Sequence, residues 1–212
     1  MSVKLYGIAG SPNMRGAMLG LAEKGVEYDL VEVAPPFKAP DHMARNPFGK
    51  VPVLEHDHFT LYETQAILRY LDRAFPGPAL QPVEAHEAAR MDQILAIIDS
   101  YLFDSWSSGV AFERLIAPNF FGRPTNFEKI EAALPLAQSC AEALETLITG
   151  PWLTGETFSL ADMRLAPHLD IFRMTPEGET ILADKSRLAQ WFEAVSQRPS
   201  VKEILQPLFA PA

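Results

Sequence analysis

The spacing of apolar positions along the chain changes near residue 80. Before that point, short runs of strand character alternate with stretches in which apolar residues recur every three or four positions. Val3 to Gly7 predicts a first strand. Ser11-Pro12 predicts a helix start, with serine as the cap and proline in the first turn, where its missing N–H costs nothing. Ala17, Met18, Leu21 and Ala22 form that helix's inward face, and Lys24-Gly25 stops it. Glu27 to Val33 predicts a second strand, followed by a loop over Ala34-Pro35-Pro36-Phe37-Lys38-Ala39-Pro40. A short helical or turn segment then runs to Arg45, and Asn46-Pro47-Phe48-Gly49 is a tight turn. Val51 to Glu55 and His58 to Leu61 predict a hairpin around His56-Asp57. Glu63 begins a helix with Ala66, Ile67, Tyr70, Leu71 and Ala74 inward, ended by Pro76-Gly77. The predicted order is β-α-β-α-β-β-α.

Pro-Gly-Pro-Ala-Leu-Gln-Pro, residues 76–82, has the composition of a linker, and the pattern after it is helical. Helices are expected over 84–117 and 126–149, with shorter ones from Ser159 to Met174 and Arg187 to Gln197. Pro118-Asn119-Phe120-Phe121-Gly122 reads as an interruption. The expected architecture is an α/β domain over 1–75, a linker over 76–83 and an all-helical domain over 84–212.

The chain has 212 residues, and its 18 basic against 27 acidic side chains leave a net charge of −9. That sign disfavours nucleic acid, whose binders need a basic face to release phosphate counterions, and it disfavours anionic lipid. The charge is uneven. Residues 1–75 carry 8 basic and 9 acidic side chains, and the remainder 10 and 18, so the acidity lies on the helical part. Cys140 is the single cysteine, which excludes an intramolecular disulfide, and five scattered histidines do not make a structural zinc site. No metal is expected. No run approaches the ~20 apolar residues of a membrane helix. Met1 to Gly7 lacks the apolar core of a secretory leader, so a cytoplasmic location is expected.

Five segments together resemble the cytosolic glutathione S-transferases, closest to the serine-type phi- or theta-like enzymes. They are Leu5-Tyr6-Gly7 with Ser11-Pro12-Asn13 and Arg15, then Asn46 to Leu54, then Tyr62 to Ile67. In the helical part they are Phe158-Ser159-Leu160-Ala161-Asp162, and Trp191 with Arg198-Pro199-Ser200-Val201. The resemblance covers essentially the whole chain. It implies a thioredoxin-like first domain, a helical second domain and a homodimer. It also implies glutathione as co-substrate, conjugated to a hydrophobic electrophile held between the domains. Peroxide reduction, dehalogenation, ether cleavage or a non-catalytic binding role are the alternatives on the same fold. The absence of cysteine at position 11 weighs against disulfide exchange.

Each implied site residue also has an ordinary reading. Ser11 caps a helix, and the resemblance gives it a second role as hydrogen-bond donor to the glutathione sulfur, with Asn13 as the other donor. Arg15 adds positive charge near the thiolate or is simply solvated. Pro52 suits a strand start; the resemblance implies a cis bond after Val51 and pairing of the Val51 backbone with the cysteinyl moiety. Glu63 and Thr64 suit a helix N-terminus, and by resemblance they hold the γ-glutamyl ammonium and carboxylate. Lys38 and Lys50 are implied partners of the glycyl carboxylate, although Phe37 stands where histidine is common in phi enzymes. Phe48 is expected at a dimer contact. Ile8, Phe112, Phe120 and Phe121 are expected walls of the electrophile site. Cys140, on a face with Ala137, Ala141 and Leu144, is expected to be a buried small residue.

Overall fold

In the computed structural model of the chain, which describes residues 2–208, strand alternation sets the two faces of a four-stranded sheet. The strands are β1 (Val3–Gly7), β2 (Asp29–Glu32), β3 (Val53–His56) and β4 (Phe59–Tyr62), in the order β2-β1-β3-β4. Leu5 lies opposite Leu30 in a parallel pair and opposite Leu54 in an antiparallel one, and Leu54 lies opposite Leu61. Val3, Leu5 and Leu54 point to one face and bury against helices α1 (Pro12–Glu23) and α3 (Thr64–Ala74), where Met14, Ala17, Leu21, Ile67 and Leu71 meet them. Gly20 allows these helices to pack closely, since a Cβ there would fall 2.4 Å from Leu68 Cδ2. Helix α2 (Pro40–Arg45) joins β2 to β3.

The chain separates into two compact units, the first running to Gln81 and resuming at Pro199, the second Pro82–Arg198. The last helix, α10 (Pro199–Ile204), was expected within the helical domain. It instead packs on α1, where the Ser200 hydroxyl donates to the Glu23 carboxylate and Arg15 Nη2 donates to the Gln206 carbonyl at 2.7 Å.

In the second unit α4 (Ala85–Ile97) continues without a break into Ile98–Ile116. That stretch is wound with wider i→i+5 bonds, such as Ala117 N–H to Phe112 C=O. It then enters α5 (Ala117–Phe121). The expected interruption at Pro118 does not occur: Ile116 and Ala117 keep right-handed helical angles, and the winding passes there from i→i+5 to α. The helix ends at Gly122, whose φ of 60° is left-handed. Helix α6 (Phe127–Leu147) lies along Ile98–Ile116, and Gly109 is required there: a Cβ would come within 2.6 Å of Ala133 Cβ. Trp106 stacks on Phe172 at 4.5 Å and donates Nε1 to the Ala137 carbonyl at 3.0 Å. Helices α7 (Leu160–Phe172), α8 (Pro176–Leu182) and α9 (Ser186–Ser196) complete the unit; α8 and α10 are too short for the periodic pattern to reveal. Among the described residues no helix is long and apolar enough to cross a membrane.

Two buried polar groups organise α7. Asp162, fully buried, accepts from the backbone N–H groups of Ser159 (2.8 Å) and Leu153 (2.9 Å), the Ser159 hydroxyl (2.9 Å) and Trp191 Nε1 (2.7 Å). The Ser159–Asp162 pair is thus a capping box that also pins a loop and α9. His168 is fully buried, with Nδ1 2.6 Å from Ser107 Oγ and Nε2 3.4 Å from Arg164 Nη1, while Arg164 Nη2 donates to Asp99 at 2.5 Å. Arginine only donates, so Nε2 is the acceptor and Nδ1–H donates to Ser107. Burial, and then the Arg164 charge, hold the His168 pKa well below its ordinary value. The unfolded chain therefore binds a proton near pH 6.5 that the folded chain refuses, and stability is lost as pH falls below that point. His168→Asn should flatten the fall in unfolding free energy between pH 7 and pH 5 by up to about 1.4 kcal/mol per pH unit, read from urea melts.

Candidate functional site

Sheet direction decides which loops share an end. Because β3 runs against β1 and β4, and β2 with β1, the C-terminal ends of β1, β2 and β4 and the N-terminal end of β3 all lie together. The segments carrying Ile8 and Ser11, Lys38, Lys50 to Pro52, and Glu63-Thr64 therefore converge at one end of the first unit. This is where an α/β sheet presents loops and helix N-termini to a ligand.

Ser11 sits at the N-cap of α1 with extended backbone angles, φ −71° and ψ 129°. Its N–H donates to the Ile8 carbonyl at 3.0 Å, and its Oγ accepts from the Met14 N–H at a long 3.5 Å. That cap uses a lone pair, so the hydroxyl proton is left for a further acceptor. Asn13 occupies the first turn and is half-buried. Arg15 is not solvated: it is 5% exposed, and Nε donates to the Ala9 carbonyl at 3.0 Å. It braces the turn that carries Ser11.

The peptide bond Val51–Pro52 is cis. The carbonyl just before it, that of Lys50, accepts from Asn46 Nδ2 at 3.0 Å and meets His42 Nε2 at 3.0 Å. A carbonyl only accepts, so the His42 proton is assigned to Nε2. Asn46 also closes its own turn, its Oδ1 accepting from the Phe48 N–H at 3.0 Å. Asn46 and His42 are each 1% exposed. Neither stood out as functional in the sequence. Asn46 has a signal in its Asn-Pro-Phe-Gly turn, and His42 has none, since its burial depends on where α2 docks.

Glu63 precedes α3 at φ 71° and ψ 116°, a left-handed setting that a non-glycine residue rarely holds. Its carbonyl accepts from the Ile67 N–H at 3.0 Å, and its side chain makes no cap bond to the helix. Thr64 follows, 6% exposed, as the first residue of α3. Lys38 and Lys50 are exposed, and Lys38 Nζ lies 3.4 Å from the Phe48 carbonyl. Phe48 is 60% exposed at its turn tip, edge-on to Tyr62 at 6.0 Å.

The remaining expected residues belong to the second unit. Phe112 and Phe121 are in contact at 5.8 Å, with the Arg123 guanidinium and Lys129 ammonium 5.5 and 5.8 Å from the Phe112 ring. Phe120 and Phe121 are largely exposed. Cys140 is buried, 3.9 Å from Ser105 Oγ, and burial pushes its thiol pKa up, which makes it a poor nucleophile. A cavity of about 810 Å³ lined by Val26, Tyr28 and Glu203 lies at the opposite end of the sheet from Ser11. Concavity alone therefore does not mark the site.

Residues 1–73 match the family pattern described as glutathione S-transferase, N-terminal domain, and residues 128–194 match glutathione S-transferase, C-terminal domain. Glutathione S-transferase 4 of Zea mays is 31% identical over 97% of this chain and 92% of its own. The solved structure of glutathione S-transferase III in its apo form superposes with a TM-score of 0.87 at 28% identity, covering all of both chains. Glutathione S-transferase-I bound with lactoylglutathione superposes with a TM-score of 0.83 at 28% identity, covering 96% of this chain and 98% of its own.

The Glu63 backbone gives a direct test of strain at this end of the sheet. Glu63→Gly should melt at or above the wild-type temperature, because glycine adopts φ 71° without a Cβ clash. Glu63→Val should lose about 1–3 kcal/mol in a denaturant titration.

Proposed function

The chain belongs to the glutathione S-transferase family, and from that premise we propose that it joins the sulfur of glutathione to an apolar electrophile, with Ser11 stabilising the thiolate. The observation that carries this reading is the convergence of two helix N-termini, those of α1 and α3, with the backbone ahead of β3 at one sheet end. Helix N-termini offer unpaired N–H groups and a positive dipole end, and glutathione is an anion.

The thiol of glutathione, like that of cysteine, has a reference pKa near 8.5, so little of it is thiolate at neutral pH. In this reading the Ser11 hydroxyl donates to the sulfur while its lone pair keeps the cap on α1, with Asn13 as the alternative donor. Donation to the charged form lowers the thiol pKa, and each unit is worth about 1.4 kcal/mol. The thiol proton leaves to solvent. The sulfur lone pair then forms the new bond to the electrophilic carbon, and the leaving group departs with its electron pair.

The rest of the tripeptide is assigned in the same way. Val51 offers its backbone N–H and C=O to the cysteinyl moiety as one added strand, with Pro52 setting the turn. Thr64, at the positive end of α3, takes the γ-glutamyl carboxylate, and Glu63 pairs with its ammonium. Lys38 and Lys50 serve the glycyl carboxylate. Ile8, Phe112, Phe120 and Phe121 are assigned as apolar surface for the electrophile. The near-neutral first 75 residues form the glutathione-binding domain, and the acidic helical part forms the electrophile domain. Phe48, exposed on a turn tip, is assigned to the interface of a homodimer, since so large an apolar group gains by burial.

The protein is expected to be retained on immobilised glutathione and to conjugate a general aryl halide. Retention without conjugation would favour a binding role, and neither would sink the reading. Ser11→Ala should lower kcat/KM about 10- to 100-fold near pH 6.5 and move the thiol limb of the pH–rate profile up by about one to two units. An unmoved profile would pass the donor role to Asn13. Phe48→Ser should shift the sedimentation profile from dimer toward monomer, with the dissociation constant rising about 100-fold or more, because each dimer loses two buried rings.

A further inference from the structure

We propose that His42 is a positioning residue for glutathione, acting through the Lys50 carbonyl to set the backbone that precedes Pro52. The inference rests on the reading of residues 50–52 as the strand that pairs with the cysteinyl moiety. His42 is the buried residue of α2, at 1% exposure, while Asp41 and Arg45 on the same helix form an exposed ion pair. Its Nε2–H reaches the Lys50 carbonyl at 3.0 Å, and Asn46 Nδ2 reaches the same oxygen at 3.0 Å. One carbonyl thus spends both lone pairs on buried donors, one from α2 and one from the Asn46 that caps it, which fixes its direction. The Lys50 carbonyl and the Val51 N–H belong to one planar peptide group, so fixing the direction of the oxygen also fixes the aim of the Val51 N–H.

His42 also bridges two parts of the site. Its ring contacts Phe37, at 6.3 Å between centroids, and Phe37 precedes Lys38 with a left-handed φ of 62°. The imidazole therefore ties the loop carrying Lys38 to the segment carrying Lys50 and Val51. Its other nitrogen, Nδ1, is buried and has no hydrogen-bond partner among the described residues. An unpaired buried acceptor is a cost that a leucine at this position would avoid. The geometry of Nε2 is what the polar ring supplies in return.

Two donors to one oxygen make the role separable from simple folding. Glutamine carries its amide nitrogen as far from the backbone as Nε2, so it preserves the donor, while leucine preserves size and burial only. His42→Leu should raise the KM for glutathione about five- to tenfold, the worth of one buried hydrogen bond. The KM for the aryl halide and the thiol pH–rate profile should stay unmoved, and His42→Gln should restore most of the glutathione KM. Amide hydrogen exchange at Val51 and Val53 should quicken in His42→Leu and return toward wild type in His42→Gln. An unchanged glutathione KM in folded His42→Leu overturns the inference, as does a glutamine variant no better than leucine. If His42→Leu is unfolded, His42→Gln and Asn46→Ala carry the test: the inference requires that Asn46→Ala raise the glutathione KM on its own and more steeply in the leucine-like background of His42→Met. Failure of the wild-type protein to bind glutathione in a calorimeter overturns the functional reading itself, and is told apart because it appears before any substitution is made.

Discussion

Strand β3 runs antiparallel to β1 and β4 while β2 runs parallel to β1, and the proposed chemistry of the first unit depends on that one arrangement. Reversing β3 would send Val51–Pro52 to the far end of the sheet from Ser11 and Thr64. With β3 as it is, two helices begin at the same end as the start of a strand. Positive helix ends and unpaired backbone groups are then concentrated without any cluster of basic side chains. The first unit can suit an anion while carrying almost no net charge.

Buried polar groups hold the parts around this sheet in place. Lys24 Nζ donates to Asp72 Oδ1 at 3.2 Å and to the Pro78 carbonyl at 2.9 Å. Asp72 in turn accepts from the Leu80 N–H at 2.9 Å and from Gln81 Nε2 at 2.8 Å. Burial by itself would raise the Asp72 pKa, and the donors from Gln81, Leu80 and Lys24 hold it below the ordinary value. This network draws residues 78–81 onto α3, which is why the first unit extends to Gln81 beyond its last helix. Asp162 does the corresponding work in the second unit, where one carboxylate accepts from a loop, a cap and a tryptophan. Such hubs are costly to leave half-satisfied, so they specify one arrangement of their neighbours.

Legibility in the sequence followed how local each feature is. The order of strands and helices over the first 75 residues was readable because alternation, caps and turn residues are neighbours in sequence. The helix-end placements of Ser11 and Thr64 were readable for the same reason: a hydroxyl at an N-cap or a first helical position is a local signal. Arg15 was not, because its burial depends on Gln206, 191 positions away. Pro118 misled because it stands where one helical winding passes into another, a change that no local pattern announces. His42 was silent because its one polar contact reaches a carbonyl that carries no side-chain identity.

By itself, then, the sequence determined the α/β-then-helical division, the family resemblance and the positions at which the longer helices begin, since these rest on short-range sterics and capping. The tertiary structure alone decided that the C-terminal helix joins the first unit, that Glu63 is held at a left-handed φ, and that His42 and Asn46 meet on one carbonyl. The first joins segments far apart in the chain, and the last depends on how α2 and its cap turn back onto the start of β3. A local pattern states what a segment can form, and only the packed chain states which backbone atom it will face.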